Sequence, residues 1–505
     1  MSYTVATALL LFVFTGLMVF LAVRGARQTR TMADYALGSQ GFPAYVVAFS
    51  LAASITSAAT FVINPGFVAL FGWSAFLAMG LVLPTALFVS LIVLTKSFRR
   101  YGASVKAATL AQWMGKRYNS RGLETWFAVL SLLLITFMVL ICVGVTKVLA
   151  KALDAPEVWV LIGFVVVVYG YMMFGGANAM VYTNSIQAAL MMGVAVILLT
   201  SGVAYFTGGP EGLWQRLSAL DPLLTAAYNP ASPLFRDWFE VVFCNAVVGI
   251  AIVCQPHIIT RSLLLRRDAD VNRYLAIAIG VQMLFFLVLI TGFYARLTYP
   301  DLQRAGQVLS LDGIIPTYVV DTFPVYIGLL VILGLMSAGL STLEGLILSL
   351  SSTITSDLIF PLSRRLRERD DPAQAKRINR LVIAGLALIT CLWSYQQLLY
   401  PNLSVGILAQ NGVYAFFAAA FVPVLLGIYG KNVRIAAPAA ASVTAIVVHF
   451  SVYYGQLTPY TSGPVRNPAV ACTFAILAAL VVGLALHLML KPAPLMSTTN
   501  HHPSA

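Results

Sequence analysis

The sequence predicts an all-α integral membrane protein with about thirteen transmembrane helices. Of its 505 residues, 60% are hydrophobic and 10% are charged, whereas a typical soluble domain is about 25% charged. Apolar runs of about 18 residues or more, long enough to cross a bilayer, recur along the chain. They occupy residues 3–23, 43–70, 72–95, 123–149, 157–174, 178–206, 238–260, 272–295, 322–356, 379–399, 405–429, 434–454 and 468–490.

The basic residues fall mainly on alternate loops between these runs. One set of loops carries 24 of the 31 lysines and arginines, and the other carries Lys147, Lys151, Arg216, Arg236, Arg296, Arg304 and Arg466. Because cytoplasmic loops are enriched in Lys and Arg, the split predicts a multi-pass protein of the inner or plasma membrane with its N-terminus outside and its C-terminus in the cytoplasm. The first run is followed by Arg24 and Arg27 without a small-residue cleavage pattern, so we expect a retained helix and not a signal peptide.

Composition and motifs disfavour other classes of protein. The net charge of +13 is explained by the cytoplasmic loops, so it does not indicate nucleic-acid binding. The five cysteines are scattered through the runs without a metal-binding spacing. The sequence contains no P-loop, H-E-x-x-H or G-x-S-x-G motif, so we predict that it is not an enzyme. It also lacks the filter repeat expected of a channel.

Polar residues inside the apolar runs concentrate in three places. The second run contains a serine and threonine cluster, the seventh contains Asn245 and ends in QPHIITR at 255–261, and the ninth contains MSAGLSTLEGLILSLSSTITSD at 336–357. Polar side chains are costly in a membrane and usually face a bundle interior or a cavity. An isolated Ser or Thr more often bonds its own helix or packs as a small residue, but clustering in two runs favours a binding site.

Four segments together resemble the sodium/solute symporter family. FGGANAMVYTNSIQAALM at 174–191 is similar to the family stretch GG-x-x-A-V-x-x-T-D-x-x-Q, and QPHIITR resembles the end of the seventh span in the proline-transporter branch. ADYALGSQGFP at 33–43 is similar to the first cytoplasmic loop of the family, and AGLSTLEGLILSLSSTITSDL at 338–358 to its ninth span. The segments follow one another in the family order, which makes their combination specific.

The resemblance implies a LeuT-type fold, in which two inverted five-helix repeats bind solute and ion near the membrane midplane. The first helix of each repeat is then broken, and we expect the breaks at Asn64-Pro65-Gly66 and around Asn245 to Gly249. The implied organisation is an extra N-terminal helix at 1–30, repeats at 31–206 and 207–430, two C-terminal helices at 431–491, and a disordered cytoplasmic tail at 492–505.

The resemblance also implies a sodium site between the second and ninth runs. Its backbone carbonyls would come from Ala53, Thr56 and Ala338, and its hydroxyls from Ser341 and Thr342. Ala338 lies one helical turn before the two hydroxyl residues, so the three share a face. Uncharged oxygens suit a hard cation that has to be released again. Sodium is the one metal and cofactor that we expect.

The solute is expected beside the sodium, against Ser57, Thr60, Asn245, Val248 and Ile252. Val248 and Ile252 stand where the proline branch has aromatic residues, and the polar residues of the sugar branch are missing as well. The free amides of a broken helix suit a carboxylate. We therefore predict a small solute that carries a carboxylate, either an amino acid or a monocarboxylate.

Two residues bear on the ion pathway. Asn184 replaces the common aspartate of the family, which is thought to lie on the sodium exit route, and this replacement disfavours a second cation or proton coupling. Glu344 lies three residues after Ser341. It is either a protonated or hydrogen-bonded carboxyl within the bundle or an electrostatic aid to cation entry.

These observations predict a sodium-coupled secondary active symporter that imports a small organic solute by alternating access. Its partners would be the solute, the sodium ion and the lipid bilayer, and we expect it to function as a monomer. One alternative is a proton-coupled or uncoupled transporter of the same fold. The other is a transporter-like membrane sensor, for which a signalling domain would be expected after Lys491.

Overall fold

The protein is almost entirely helical in the computed structural model, which describes residues 3–29, 31–38, 42–104, 107–362, 371–400 and 405–490. Within these ranges, ten helices are long and apolar enough to cross a membrane, and two bent helix pairs could each form one more span. The ten are Val5–Ala26, Trp73–Gly102, Arg121–Leu153, Glu157–Thr200, Asp268–Thr298, Val325–Ile359, Pro372–Leu399, Val405–Tyr429, Ala436–Tyr454 and Pro468–Met489. The predicted all-α membrane fold is confirmed, and the tail predicted at 492–505 lies outside the described residues.

The segment Glu157–Thr200 consists of two helices that meet at Gly176, where φ is 60° and ψ is −163°. Tyr171 and Gln187, on opposite sides of this junction, both donate to Glu344 Oε1, at 2.6 and 2.9 Å. A straight helix would separate the two donors by about 24 Å, too far for both to reach one oxygen. The two halves therefore lie side by side, which supports separate spans at 157–174 and 178–206. The exact number of membrane crossings stays a prediction.

Glycine is required at this junction. A Cβ on Gly176 would lie 2.8 Å from the ring of Tyr35, and the positive φ is strained for other residues. Tyr35 belongs to the short helix Met32–Leu37 and donates its hydroxyl to the Met172 carbonyl at 3.0 Å. Burial raises the pKa of Tyr35 to about 12, so the phenol keeps the proton that this hydrogen bond needs.

The first broken span consists of Ala44–Ile55 and Ala59–Phe71, bent by 57°. The helix ends because Thr56 has extended backbone angles, with φ −88° and ψ 101°. The break predicted at Asn64-Pro65-Gly66 is therefore wrong, since these residues are helical. Pro65 is tolerated because it lies in the first turn of an α-helical segment that follows a π-helical one, where a missing N–H costs little.

The second broken span consists of Phe239–Cys254 and Pro256–Leu264, bent by 63°. Its break lies at Gln255, which has extended angles of φ −65° and ψ 134°. A residue before proline is driven out of the helical region by the proline ring. The break predicted around Asn245 to Gly249 is wrong, because those residues belong to the helix Asn245–Ala251.

The serine-rich helix, Val325–Thr353, lies at the centre of the bundle and is buried along most of its length. A Cβ on Gly334 would lie 2.5 Å from Val194, and one on Gly339 would lie 2.3 Å from Val145. Small residues allow membrane helices to approach closely and gain dispersion energy. This close packing fixes the serine-rich helix against its neighbours.

Shorter elements connect the spans. They include the helices Leu110–Tyr118, Pro210–Leu220 and Ile314–Thr322, and an antiparallel hairpin of the strands Gln303–Arg304 and Gln307–Val308 with Gln303 opposite Val308. The hydroxyl of Thr109 caps the first of these helices by accepting a hydrogen bond from the backbone N–H of Gln112 at 3.0 Å.

Basic residues from the predicted outer loops come together in space. Lys147, Lys151 and Arg304 line one surface depression with Asp154 and Glu157. Residues of the predicted cytoplasmic loops also meet, since Arg99 pairs with Asp268 at 2.8 Å. The grouping is consistent with the predicted division of the loops between two ends. Which end faces the cytoplasm stays a prediction.

Candidate functional site

The five predicted sodium ligands converge where the first broken span meets the serine-rich helix. Ser341 Oγ lies 2.8 Å from the Ala53 carbonyl and 3.1 Å from that of Ala338. Thr342 Oγ1 lies 3.3 Å from the Thr56 carbonyl and 3.4 Å from that of Ala338. All five residues are fully buried. The backbone carbonyls near Thr56 are available because the helix ends there and leaves its last carbonyls without helical partners.

This cluster of oxygens fits a hard cation. Ligands about 2.4 Å from a cation, as in calcium sites, lie about 3.4 Å apart when they are at right angles. The contacts between Thr342 Oγ1 and the carbonyls of Ser54, Thr56 and Ala338 measure 3.1, 3.3 and 3.4 Å. The Ser54 carbonyl is an additional candidate ligand that the sequence did not indicate. Each hydroxyl can rotate its proton away from the carbonyl and direct an oxygen lone pair at a bound cation.

Gln282 holds the first break in place. Its Nε2 donates to the Ala52 carbonyl at 2.6 Å, and its Oε1 accepts from Thr56 Oγ1 at 3.2 Å. The amide therefore bonds to both sides of the helix end, and its side chain is fully buried. This role could not be predicted, because Gln282 is an isolated polar residue in an apolar run. Its partners are more than two hundred residues away in the chain.

Asn184 and Arg261 lie beside the candidate sodium site. Asn184 Nδ2 donates to Ser54 Oγ at 3.0 Å and lies 3.4 Å from the Ser341 carbonyl. Arg261 donates to Ser50 Oγ at 3.0 Å and to Ser54 Oγ at 2.5 Å. The role of Asn184 in the ion pathway and the number of sodium ions stay predictions.

Glu344 is a fully buried carboxyl with three donors. Tyr171 and Gln187 donate to one oxygen at 2.6 and 2.9 Å, and Thr183 donates to the other at 2.5 Å. The hydrogen-bonded alternative predicted for this residue therefore describes its surroundings well. These bonds tie the serine-rich helix to both halves of Glu157–Thr200.

A cavity of about 110 Å³ adjoins the first break. Three of the predicted solute residues, Ser57, Thr60 and Ile252, line it. Its lining contains no Asp, Glu, Lys or Arg among the described residues, and its remaining polar side chains are Asn64, Gln255, Gln410 and Tyr414. Gln255 is 2% exposed, and its Oε1 has no hydrogen-bond partner within the described part of the chain.

The two other predicted solute residues do not line this cavity. Asn245 donates its side-chain amide to the Glu240 carbonyl at 2.8 Å, where it supports the helical turn before it. Val248 is fully buried within the helix Asn245–Ala251. Because the second break lies at Gln255 and not near Asn245, Gln255 lines the cavity in their place. Pro256 was the sequence signal that could have indicated it.

A bundle of apolar helices with two broken spans, a buried cluster of uncharged oxygens and an adjoining cavity defines a membrane transporter of the LeuT type. The family model described as "Sodium:solute symporter family" matches residues 35–447. The chain therefore belongs to the sodium:solute symporter family, whose members are transporters coupled to sodium.

Individual relatives agree with this membership. The chain is 28% identical to the sodium/pantothenate symporter of Escherichia coli, with 83% of each chain covered. It is 25% identical to the osmoregulated proline transporter OpuE of Bacillus subtilis, with 81% of this chain and 80% of the relative covered. A solved substrate-bound, outward-open structure of a Na⁺-coupled sialic acid symporter superimposes with a TM-score of 0.75 at 18% identity. That match covers 98% of this chain and 99% of the other, and it confirms the predicted LeuT-type fold.

Proposed function

We propose that the protein is a symporter that uses one sodium ion to import one small solute bearing a carboxylate. The observation that carries this proposal is the convergence of Ala53, Thr56, Ala338, Ser341 and Thr342 on one point. That point adjoins the cavity through consecutive residues, because the Thr56 carbonyl belongs to the oxygen cluster and Ser57 lines the cavity. Sodium and solute would therefore stabilise the same backbone conformation.

The first break offers opposite charges to the two ligands. The helix Ala44–Ile55 ends there with its carbonyls toward the oxygen cluster. The helical segment beginning at Ala59 starts at the cavity, where the Ala59 and Thr60 amides donate to the hydroxyl and carbonyl of Ser57. Helix C-termini favour cations and N-termini favour anions. Sodium at the first end and a carboxylate at the second would satisfy both, and each ion would also attract the other.

The absence of Asp, Glu, Lys and Arg side chains from the described cavity lining supports a solute with few charges. Apolar side chains such as Leu87, Leu140 and Phe286 would contact its body, and Thr60 and Gln255 would bind its polar groups. Pantothenate, proline and sialic acid, for which three of the matching proteins are named, carry a carboxylate, whereas mannose and glucose, for which matches over 57% and 55% of this chain are named, do not. We infer a solute of the carboxylate-bearing class here.

Coupling follows from the order of binding. Ser341 and Thr342 contact the carbonyls at the break directly. A sodium ion bound among these oxygens would hold the break in one geometry and so prepare the adjoining start of the helical segment at Ala59 for the solute. The ion would already restrict the backbone of the break before the solute binds, so the solute would lose less free energy to ordering it and would bind with higher affinity.

We further propose that the protein acts as a monomer, with its N-terminus outside and its C-terminus in the cytoplasm.

Uptake by proteoliposomes tests the proposal. We expect an inward sodium gradient to drive accumulation of at least one labelled compound from a panel of pantothenate, amino acids and short monocarboxylates. The methyl ester or amide of that compound should be a poor substrate, because it lacks the anionic group. Sodium-driven uptake of a sugar, with no uptake of any carboxylate in the panel, would contradict the proposed solute class.

A further inference from the structure

A second cavity lies on the opposite side of the second break from the cavity that Ser57 and Thr60 line, which we call the solute cavity. This inner cavity is small, with a volume of about 30 Å³, and its polar lining residues are Thr109, His257, Thr260, Arg261, Ser349 and Ser352. Gln255 lines the solute cavity and His257 lines the inner one, so Pro256 separates them. The ring of Phe137, which lines the solute cavity, lies 6.4 Å from the ring of His257 between centroids. The two cavities are therefore neighbours divided by the break and by this ring contact.

Arg261 brings a buried positive charge to the inner cavity without a matching carboxylate. The residue is 3% exposed. Its guanidinium donates to the His257 carbonyl and to the hydroxyls of Ser50 and Ser54, all uncharged acceptors. No acid within the described ranges forms an ion pair with it. Glu344 attracts the guanidinium at longer range, but a buried charge without a direct ion-pair partner is still unfavourable.

The two nearby buried acids already have other partners. Both oxygens of Glu344 accept hydrogen bonds from Tyr171, Gln187 and Thr183. The carboxylate of Asp357 accepts from Thr109 and Gln112 at 2.5 and 2.7 Å. Of the five N–H donors of a guanidinium, Arg261 uses three in the bonds described above. Two donors therefore remain for a ligand.

Two further polar groups of the inner cavity lack partners. His257 Nδ1 and Ser352 Oγ are buried and have no hydrogen-bond partner in the described portion of the chain. Both residues line the inner cavity, together with Arg261. Buried polar atoms are rarely left without a partner unless a ligand or ion completes their bonding. The guanidinium and imidazole of the second broken span and the Ser352 hydroxyl of the serine-rich helix line the same cavity, and together they suit an anion with two acceptor oxygens.

We propose that the inner cavity binds a carboxylate and receives the carboxylate of the solute as it leaves the solute cavity. The identity of the anion rests on the proposed function, whereas the site itself rests on Arg261 and the cavity. A carboxylate bound here would draw the guanidinium away from Ser54. The backbone of Ser54 contacts Thr342 in the oxygen cluster, so arrival of the anion would loosen the sodium site and favour release of the ion.

Protection of an engineered thiol against alkylation tests the inner site directly. Ser349 lines the cavity and is partly exposed, so Ser349→Cys supplies a reactive thiol. Cys391 is the native cysteine that is partly exposed, and Cys391→Ser removes it. The probes are acetate, the uncharged isostere acetamide, and chloride. Acetate at ten times its dissociation constant should slow alkylation by N-ethylmaleimide about tenfold, because only the empty site reacts. Neither acetamide nor chloride should protect.

Companion variants assign the effect to this cavity. Protection by acetate should persist when Thr60→Trp fills the solute cavity and should be lost with Arg261→Gln. Ser352→Asp should also abolish it, because the new carboxylate would occupy the site itself, and this variant keeps the test valid if Arg261→Gln fails to fold. Protection that survives Ser352→Asp, or protection by chloride but not acetate, would overturn the proposal.

Measuring transport and alkylation on the same purified protein distinguishes a failure of this proposal from a failure of the proposed function. If the wild-type protein accumulates a carboxylate with sodium but acetate gives no protection, the inner site is wrong and the symport proposal stands. If acetate protects but no carboxylate is transported, the inner site binds anions as proposed, its assignment to the departing solute is wrong, and the proposed solute class fails.

Discussion

Alanine at both Ser341 and Thr342 should abolish the sodium dependence of solute uptake. The double variant removes two of the five proposed ligand oxygens and leaves only backbone carbonyls around the ion. A hydrogen bond or polar contact to a charged group contributes about 1.5–3 kcal/mol. At about 1.4 kcal/mol per tenfold change, each single alanine should raise the half-saturating sodium concentration about tenfold to a hundredfold. Uptake into proteoliposomes at a series of sodium concentrations measures this value.

Ser337 provides a matched control for these variants. It lies on the same helix, is fully buried, and donates to the Leu333 carbonyl of its own helix at 2.7 Å. Ser337→Ala should therefore leave the sodium dependence unchanged, although it too replaces a buried hydroxyl residue of this helix with alanine. If the Ser341→Ala and Thr342→Ala variants match wild type in sodium dependence, the ligand assignment is wrong.

Thr60→Trp should eliminate solute uptake while sodium binding remains. Thr60 is 4% exposed and lines the cavity, so an indole at this position would occupy the space expected for the solute. Thr60 is not among the proposed sodium ligands. Sodium should therefore still raise the melting temperature of the purified variant, since ligands that bind the folded state stabilise it.

A lipid-facing tryptophan serves as the comparison. Val166 is 65% exposed on the surface of the bundle, so Val166→Trp adds the same side chain without filling the cavity and should transport normally. The milder change Thr60→Val removes only the hydroxyl and should weaken solute binding by less than the tryptophan does. Normal uptake by a folded Thr60→Trp variant would show that this cavity is not the solute site.

The sequence predicted the helical spans better than the positions of their breaks. Long apolar runs are read directly from composition, and the Gly176 junction separates the two spans predicted on either side of it. Proline at position 65 indicated a break because it cannot donate a backbone hydrogen bond, yet its helical position made that donor unnecessary. The observed break at Thr56 contains neither proline nor glycine. It is held by Gln282 and by the serine-rich helix, which are tertiary contacts that the local sequence does not indicate.

Some residues of the candidate site could likewise be predicted from the sequence, and others could not. Ala338, Ser341 and Thr342 lie on one helix at positions that share a face, so their grouping followed from spacing and from the family resemblance. Their partners on the first broken span could be placed only through the resemblance. The roles of Gln255 and Arg261 depend on how the second break turns the chain toward the two cavities. Asn245 and Val248 do not line the cavity, because the second break lies at Gln255, and their contact with the solute stays a prediction.

Simultaneous measurement of sodium and solute fluxes tests the central claim most directly. Labelled sodium and a labelled carboxylate from the uptake panel would be added outside proteoliposomes that have an inward sodium gradient, and both initial rates of uptake would be recorded. We predict one sodium per solute and no net charge movement for a monoanion, so a membrane potential should not alter uptake. For a zwitterion, each transported charge would contribute about 2.3 kcal/mol per 100 mV. Two sodium ions per solute would contradict the single site, and solute uptake that is unchanged without the sodium gradient would contradict sodium-coupled symport itself.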